Sequence, residues 1–121
     1  MASAAVILFA HGARERDWAR PFEQVRDRLR TEGLRVELAY LEIMTPSLEE
    51  AARELAAEGF RKVTIAPLFL AQGGHLKRQL PELVSKLRER HANIDFRVTA
   101  ALGDEPEILA AITAWLKRAA R

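Results

Sequence analysis

The chain alternates four short apolar runs with four longer segments of helical periodicity, and this alternation limits its fold more than any other feature. The runs cover residues 6–10, 36–41, 63–70 and 94–100. Strand-length apolar runs that alternate with helices are typical of βαβ units around a parallel sheet. Continuous hydrophobicity, clearest in the first and third runs, indicates strands covered by helices on both faces. We therefore predict an α/β fold of three αβα layers with a four-stranded parallel sheet in the order 2-1-3-4.

Four helices are predicted between and after these strands. The first begins near Asp17 as its N-cap, and the second opens with Ser47 and Glu50 at capping-box spacing. The third covers roughly residues 76–90, and Pro81 within it predicts a kink or a fresh start. The fourth is expected to pack against the domain as a C-terminal cap. The apolar residues expected to face the core are Trp18, Phe22, Val25 and Leu29 in the first helix and Ile108, Leu109, Ile112, Trp115 and Leu116 in the fourth.

Length and composition are those of one globular domain, which we assign to residues 1–121. The chain contains no cysteine, so a metal site would have to use imidazole and oxygen ligands. The net charge of +2 is too small to indicate a nucleic-acid partner. The apolar first ten residues lack a basic leading region, and no apolar run approaches the roughly 20 residues that span a bilayer. We therefore expect a cytoplasmic protein with neither a nucleic-acid nor a membrane partner.

Two histidines follow the two strands that are predicted to lie side by side at the centre of the sheet. Ligands of open parallel sheets bind outside the carboxyl ends of the strands, where the strand order reverses. In the order 2-1-3-4 that point lies between strands one and three, so His11 and His75 should face each other across one crevice. Two imidazoles can bind iron, cobalt, nickel or zinc and can also accept protons. Glu42, after strand two, could add an oxygen ligand or a proton acceptor, whereas His91 has no such context.

Glycines and cations surround the two histidines in the sequence. Glycine lets the backbone approach a large flat ligand closely and adopts φ values that other residues resist. Cations near the first turn of a helix oppose the helix dipole, so a polycarboxylate ligand held there would explain them. The predicted substrate-binding residues are Gly12, Arg14, Gly73, Gly74, Lys77 and Arg78.

Three segments resemble motifs of the CbiX/SirB chelatases in their small, single-domain form, which belong to the class II chelatase group. They cover residues 9–14 (FAHGAR), 41–48 (LEIMTPSL) and 67–81 (PLFLAQGGHLKRQLP). The resemblance implies a chelatase-like fold related to the flavodoxin-like folds. It also implies insertion of Co²⁺, Fe²⁺ or Ni²⁺ into sirohydrochlorin or a related tetrapyrrole, a step in the biosynthesis of siroheme and cobalamin-type cofactors.

The same resemblance implies roles for residues and partners. His11 and His75 would be the catalytic and metal-binding pair, and the metal would be a substrate, so that no permanent cofactor is needed. A homodimer is implied as well, because larger relatives fuse two such halves and hold the tetrapyrrole between them. A single domain of this size also has little surface with which to enclose so broad a ligand.

Two other functions fit the same residues. A non-catalytic metal or tetrapyrrole carrier would also use His11 and His75. A histidine phosphatase places a His-Gly pair after its first strand, but such enzymes carry arginine directly before that histidine, and here the residue is Ala10.

Overall fold

The computed structural model describes residues 4–121, which form a four-stranded sheet flanked by helices. The strands are β1 (Ala4–Ala10), β2 (Arg35–Tyr40), β3 (Lys62–Pro67) and β4 (Asp95–Val98). The helices are α1 (Arg20–Thr31), α2 (Leu48–Ala57), α3 (Gly74–Arg90) and α4 (Pro106–Ala119). Short 3-10 helices, Arg16–Ala19 and Leu102–Asp104, precede α1 and α4. Within residues 4–121, none of the helices combines the length and the apolar character that crossing a membrane requires.

The sheet has the predicted parallel order, β2-β1-β3-β4, so the α/β class and the strand order are confirmed. Strands β1 and β3 lie at the centre of the sheet, where Ile7 is opposite Ile65 and both side chains are fully buried. This position explains the continuous apolar runs in the sequence. The carboxyl ends of all four strands meet at one edge, where the order reverses between β1 and β3.

The two faces of the sheet carry separate apolar clusters. On one face, Phe9, Ile65 and Phe96 pack with the buried side chains of α2 and α3. On the other face, Leu8 and Leu38 pack against α1 and the 3-10 turn before it. Alternate residues of β1 enter opposite clusters because successive side chains of a strand point to opposite faces.

The start of α1 differs from the prediction. Asp17 is not its N-cap but lies in the 3-10 helix, and its carboxylate accepts a hydrogen bond from Arg20 Nη2 at 3.1 Å. The N-cap position of α1 is Ala19, which has no side-chain cap. Of the predicted core-facing residues, Trp18, Phe22 and Leu29 pack against the sheet, whereas Val25 is 46% exposed rather than buried. The capping box of α2 is confirmed, with Ser47 and Glu50 bonded to each other's backbone N–H at 3.1 and 2.8 Å.

Several element bounds also differ from the predicted ones. Strand β2 ends at Tyr40, β3 at Pro67 and β4 at Val98, so all three end before their apolar runs do. The apolar residues beyond the ends of these strands belong to loops that leave the sheet at the edge formed by the carboxyl ends of the strands. Helix α3 begins earlier, at Gly74, and continues through Pro81 without a fresh start.

Helix α4 is not the packed cap that its apolar periodicity predicts. None of its residues is buried, and Leu109, Trp115 and Leu116 are 44, 59 and 52% exposed. Its principal contact is with the preceding 3-10 turn, residues 102–104. Periodicity correctly identified a helix here, but it cannot tell what a helix packs against.

Candidate active site

The loops that follow β1 and β2 are joined by backbone hydrogen bonds beyond the ends of the strands. The N–H of Leu41 donates to Ala10 O at 2.8 Å, and the N–H of Glu42 donates to His11 O at 3.0 Å. These bonds prolong the ladder by two residues. Glu42 is therefore held beside His11, as the strand order predicted.

Gly12 allows the two loops to approach each other this closely. Its φ is +97°, and a Cβ atom there would lie 1.9 Å from the carbonyl oxygen of Glu42. No other residue fits this space without displacing the second loop. The predicted unusual φ is present at Gly12, whereas Gly73 and Gly74 have no positive φ and no atom within 4 Å of an added Cβ.

The imidazole of His11 packs against Phe69, which follows β3. The two ring centroids are 4.5 Å apart at an interplanar angle of 61°. Phe69 is buried, and its other neighbour is Phe9 on β1, with ring centroids 5.7 Å apart. Edge-to-face aromatic contacts are favourable and directional. The core thus supports the exposed imidazole from below and limits its orientation.

His75 lies in the first turn of α3, next to the helix N-terminus. Gly73 occupies the N-cap position with extended backbone and provides no side-chain cap for the first N–H groups. No acidic residue lies in this first turn. The uncapped N–H groups and the helix dipole give this end of α3 a partial positive charge.

A cleft of about 440 Å³ brings the two histidines together with Glu42. His11, Glu42 and His75 are all exposed, so the cleft is open to solvent and to large ligands. Leu41, Leu76 and Gln79 line the cleft but were not predicted to do so. Gln79 could have been predicted, because it follows His75 by four residues on α3 and so shares its helix face. The lining residues are His11, Leu41, Glu42, Gly73, His75, Leu76 and Gln79.

The cleft does not contain a closed metal site. Within residues 4–121, no three histidine or carboxylate side chains are close enough together to hold one ion. Glu42 thus shares the cleft with the two imidazoles without forming a three-ligand cluster with them. An ion bound within one chain would have at most two such side chains as ligands, leaving its other coordination positions for water or substrate.

The remaining predicted residues surround the cleft. Arg78 lines a second cavity beside it, together with His75, while Gly12, Arg14, Gly74 and Lys77 are not part of the lining. Arg14, Lys77 and Arg78 are exposed, and none of them belongs to an ion pair among the residues described. Arg78 shares its cavity with Glu82, but no carboxylate of the described chain is within ion-pair distance of any of the three cations.

Two exposed aliphatic side chains lie in the same loops and were not predicted. Ile43 is 63% exposed with φ of +70°, and Leu70 is 61% exposed. A β-branched residue with positive φ is a genuine conformational outlier. Such strain is concentrated at functional sites.

The chain is similar to proteins of one family. The CbiX family model matches residues 5–119. The sirohydrochlorin cobaltochelatase of Sulfurisphaera tokodaii is 32% identical over 83 residues, which are 69% of each chain. That of Saccharolobus islandicus is 31% identical over 109 residues, or 85% of each chain. A third cobaltochelatase, from Methanopyrus kandleri, is 32% identical, but the match spans 57% of its length.

Solved structures have the same architecture. A CbiX protein from Marinobacter aquaeolei VT8, assigned to cobalamin (vitamin B12) biosynthesis, superposes with a TM-score of 0.83 at 29% identity and 95% coverage of both chains. The sirohydrochlorin chelatase SirB of Bacillus subtilis, solved with cobalt, gives a TM-score of 0.77 at 20% identity. The match covers 95% of this chain but 50% of SirB, which shows that the larger protein contains the same fold in about half its length.

The family model covers nearly the whole chain, including all three segments that form the cleft, and the structural similarity extends over the same range. The chain belongs to the CbiX family.

Proposed function

We propose that this protein is a chelatase that inserts a divalent metal into sirohydrochlorin or a closely related tetrapyrrole. The observation that carries the proposal is the open cleft in which His11 and His75 face the same space. Family membership and the sirohydrochlorin cobaltochelatases among the relatives support this substrate class. The metal is a substrate, and the proposal includes no permanent cofactor.

Two imidazoles suit the delivery of an ion better than its storage. Metal insertion requires that the ion lose water and then leave its protein ligands for the ring nitrogens. A site with two ligands leaves coordination positions open, unlike the closed four-ligand sites that hold structural zinc. We assign His11 and His75 to holding the incoming ion, which Phe69 assists by supporting the first of these rings.

The reaction also releases two protons from the pyrrole N–H groups as the ion binds the four ring nitrogens. A neutral imidazole that is not bound to metal can accept one of them, and so can the exposed carboxylate of Glu42. Glu42 lies beside His11 through the backbone bond between their loops. We therefore propose Glu42 as a proton acceptor or transient oxygen ligand, with no fixed place in a preformed metal site.

The carboxylate arms of the tetrapyrrole would bind at the positive edge of the cleft. The uncapped N-terminus of α3, with Lys77 and Arg78 in its first turns, provides N–H donors and charge, and Arg14 adds charge from the first loop. Gly12, Gly73 and Gly74 keep the backbone close to this surface. The exposed side chains of Ile43 and Leu70 would meet the apolar faces of the macrocycle.

The active unit is proposed to be a homodimer of this single domain (residues 1–121) in the cytoplasm, with no nucleic-acid or membrane partner. The match covers only half of SirB, so that protein is long enough to contain a second domain of this size. An open cleft on one domain covers only one side of a broad flat ligand, and a second cleft could enclose the other side.

Co²⁺, Fe²⁺ and Ni²⁺ all accept imidazole ligands, so all three are candidate substrates. The names of the relatives favour Co²⁺. The product would then be a precursor of a cobalamin-type cofactor, and with iron it would be a precursor of siroheme.

The test is the rate of metal insertion into sirohydrochlorin, followed by its visible spectrum and compared with the spontaneous rate. His11→Ala and His75→Ala should each reduce the catalysed rate by about 100-fold or more, as expected when a metal ligand or general base is lost. His91→Ala is the matched control, because His91 lies outside the cleft and contacts Glu49 at 3.2 Å. Circular dichroism should show native helix content in all three variants.

The same assay decides between an enzyme and a carrier. A carrier would bind the metal or the tetrapyrrole through His11 and His75 without exceeding the spontaneous rate. Hydrolysis of an aryl phosphate that is abolished by His11→Ala would instead indicate a phosphatase.

A further inference from the structure

The 3-10 turn that follows β4 is packed against the segment that leaves β3 beside the cleft. The N–H of Gly103 in this turn donates to Phe69 O at 3.2 Å. A Cβ atom on Gly103 would lie 1.5 Å from the carbonyl oxygen of Leu70. The φ of Gly103 is not positive, so the closeness of the two backbones, and not the conformation of the turn, requires a glycine here.

The backbone of Phe69 is held from two directions. The N–H of the preceding residue, Leu68, donates to Phe9 O on β1 at 2.7 Å, and Gly103 donates to the carbonyl of Phe69 itself. In the described chain, residues 70–72 neither donate nor accept a backbone hydrogen bond before α3 begins. The contact with Gly103 is therefore the last backbone bond that fixes this segment before the loop that leads to His75.

The side chain of Phe69 transmits this backbone position to His11. Phe69 is 2% exposed, and its ring centroid lies 4.5 Å from that of the His11 imidazole in an edge-to-face arrangement. His11 is exposed, and none of the side-chain hydrogen bonds among the residues described involves its ring. An edge-to-face contact is favourable only over a limited range of ring angles. The imidazole should therefore follow the Phe69 ring.

A buried aromatic ring cannot easily compensate for a shift of its own backbone. Phe69 packs against Phe9 on one side, with ring centroids 5.7 Å apart, and belongs to the larger apolar cluster of the sheet. Protein interiors are close-packed, so a displaced ring finds no free space in which to recover its former position. A side chain at residue 103 would push the Phe69–Leu70 backbone away from the turn and tilt the ring beneath His11.

We propose that Gly103 is a positioning residue for His11 that acts through the backbone and the ring of Phe69. The turn after β4 thereby contributes to the cleft, although none of its residues lines it. The inference rests on the proposed function in treating His11 as a metal ligand, whereas the contacts between residues 103, 69 and 11 do not depend on that role.

Nuclear magnetic resonance of the histidine rings tests this link without metal or tetrapyrrole. The full chain has three histidines, so each ring signal can be assigned from a single His→Ala variant. Phe69→Leu should shift the His11 signal, because it removes the aromatic ring 4.5 Å away. Gly103→Ala should shift the His11 signal as well and leave that of His91, which lies outside the cleft. A His11 signal identical in Gly103→Ala and the wild type would overturn the proposal.

Gly59→Ala is the matched control for a general loss of stability. Gly59 follows α2, its φ is +92°, and an added Cβ meets no atom within 4 Å. The positive φ should make this variant less stable than the wild type in urea. It should nevertheless leave the His11 signal in place. An equal shift of that signal in Gly59→Ala would contradict a specific link from Gly103.

Amide hydrogen exchange of the wild type tests the anchor without any variant. The N–H of Gly103 is bonded to Phe69 O, whereas the N–H of Gln72 has no backbone acceptor in the described chain. Gly103 should exchange about 5- to 10-fold more slowly than Gln72 after correction for the intrinsic rates, which is the ratio expected for one hydrogen bond. Equal corrected rates would show that the turn does not hold Phe69 and would refute the proposal.

Binding of Co²⁺ alone, followed by its visible absorption, measures the consequence for the site. Gly103→Ala should raise the Kd for Co²⁺ about 10-fold, the lower end of the effects seen when a group that orients a metal ligand is changed. The double variant Gly103→Ala/Phe69→Leu should bind Co²⁺ as weakly as Phe69→Leu, because both changes act through one contact. Fully additive losses would contradict transmission through Phe69.

Metal insertion into sirohydrochlorin is measured separately on the same samples. A wild type that binds Co²⁺ through His11 without inserting it would refute the proposed function and sustain the positioning role. An active wild type, with Gly103→Ala unchanged in insertion rate, Co²⁺ affinity and His11 signal, would sustain the function and refute the positioning role.

Discussion

At the scale of single residues, the contact between Gly12 and the carbonyl of Glu42 has the largest influence on the cleft. It sets the separation of the loops after β1 and β2, and the neighbouring backbone bond from Glu42 to His11 depends on that separation. The glycine therefore affects the proposed chemistry without contributing a functional group. Because Gly12 lies next to His11, a candidate metal ligand, a small change at this glycine should have a large effect on metal insertion.

Gly12→Ala tests this contact against Gly33→Ala. Both glycines have positive φ, but an added Cβ at Gly33 meets no atom within 4 Å. The positive φ should cost each variant about 1 to 2 kcal/mol of unfolding free energy. Gly12→Ala should lose about 1 to 3 kcal/mol more, because the neighbouring backbone must move. Urea unfolding measures both, and equal losses would contradict the structural role assigned to Gly12. Metal insertion should fall only in Gly12→Ala.

At the scale of elements, Arg35 links the start of β2 to the end of α2. Its Nε and Nη2 atoms donate to the two carboxylate oxygens of Glu58 at 3.0 and 2.7 Å, and its Nη1 donates to Glu37 at 2.6 Å. The hydrogen bonds with Glu58 and Glu37 raise the pKa of Arg35, and the bond from Arg35 lowers the pKa of Glu58. This two-pronged pairing is the geometry in which arginine binds carboxylates most strongly.

The Glu58 pair gives the fold a predictable response to acid. The folded pKa of Glu58 lies below its ordinary value of 4.5, so its pairing stabilises the fold above that pH. The contribution is lost as the pH falls below 4.5 and through the folded pKa. Glu58→Gln should therefore lower stability at pH 6 and flatten its decline between pH 5 and pH 3. Urea midpoints at fixed protein concentration measure the difference, with Glu32→Gln as an exposed control. An unchanged decline in Glu58→Gln would contradict the assignment.

At the scale of the whole molecule, the positions of individual cations matter more for the proposed function than the net charge does. The net charge is only +2, yet Arg14, Lys77 and Arg78 stand near the cleft without ion-pair partners in the described chain. Arg35 and Arg30 bind carboxylates of the fold itself, but other cations, such as Arg61 and Lys86, also have no ion pair in the described chain. It is therefore their position next to the histidines in the sequence that distinguishes these three. We expect these three cations to attract a polyanionic substrate to the edge of the sheet where the cleft lies.

Salt should weaken this attraction. Lys77→Gln should raise the KM for sirohydrochlorin about 2- to 5-fold at low ionic strength, which is the effect of losing one exposed charge interaction. The difference from wild type should disappear near 1 M NaCl, where the screening length falls to about 3 Å. Lys86→Gln is the matched control on the same helix, about 14 Å further along its axis. A salt-independent KM, or an equal effect of Lys86→Gln, would contradict the proposed binding edge.

Most elements of the fold, and the sheet edge at which the two histidines lie, could be predicted from the amino-acid pattern. Apolar periodicity predicted four strands and four helices, capping-box spacing identified the start of α2, and the strand order brought His11 and His75 to one edge. These features could be predicted because they depend on the local pattern of residues and on the regular geometry of a parallel sheet. The notable local error was Asp17, where a 3-10 turn precedes α1.

The packing partner of each surface could not be predicted from the sequence and is known from the folded structure. The support of His11 by Phe69, the fit of Gly12 against Glu42 and the exposure of α4 all depend on residues far apart in the chain. An apolar stripe has the same sequence pattern whether it faces its own core or another molecule. Sequence periodicity indicates that a helix face tends to be buried, whereas the surface that buries it depends on how distant parts of the chain come together.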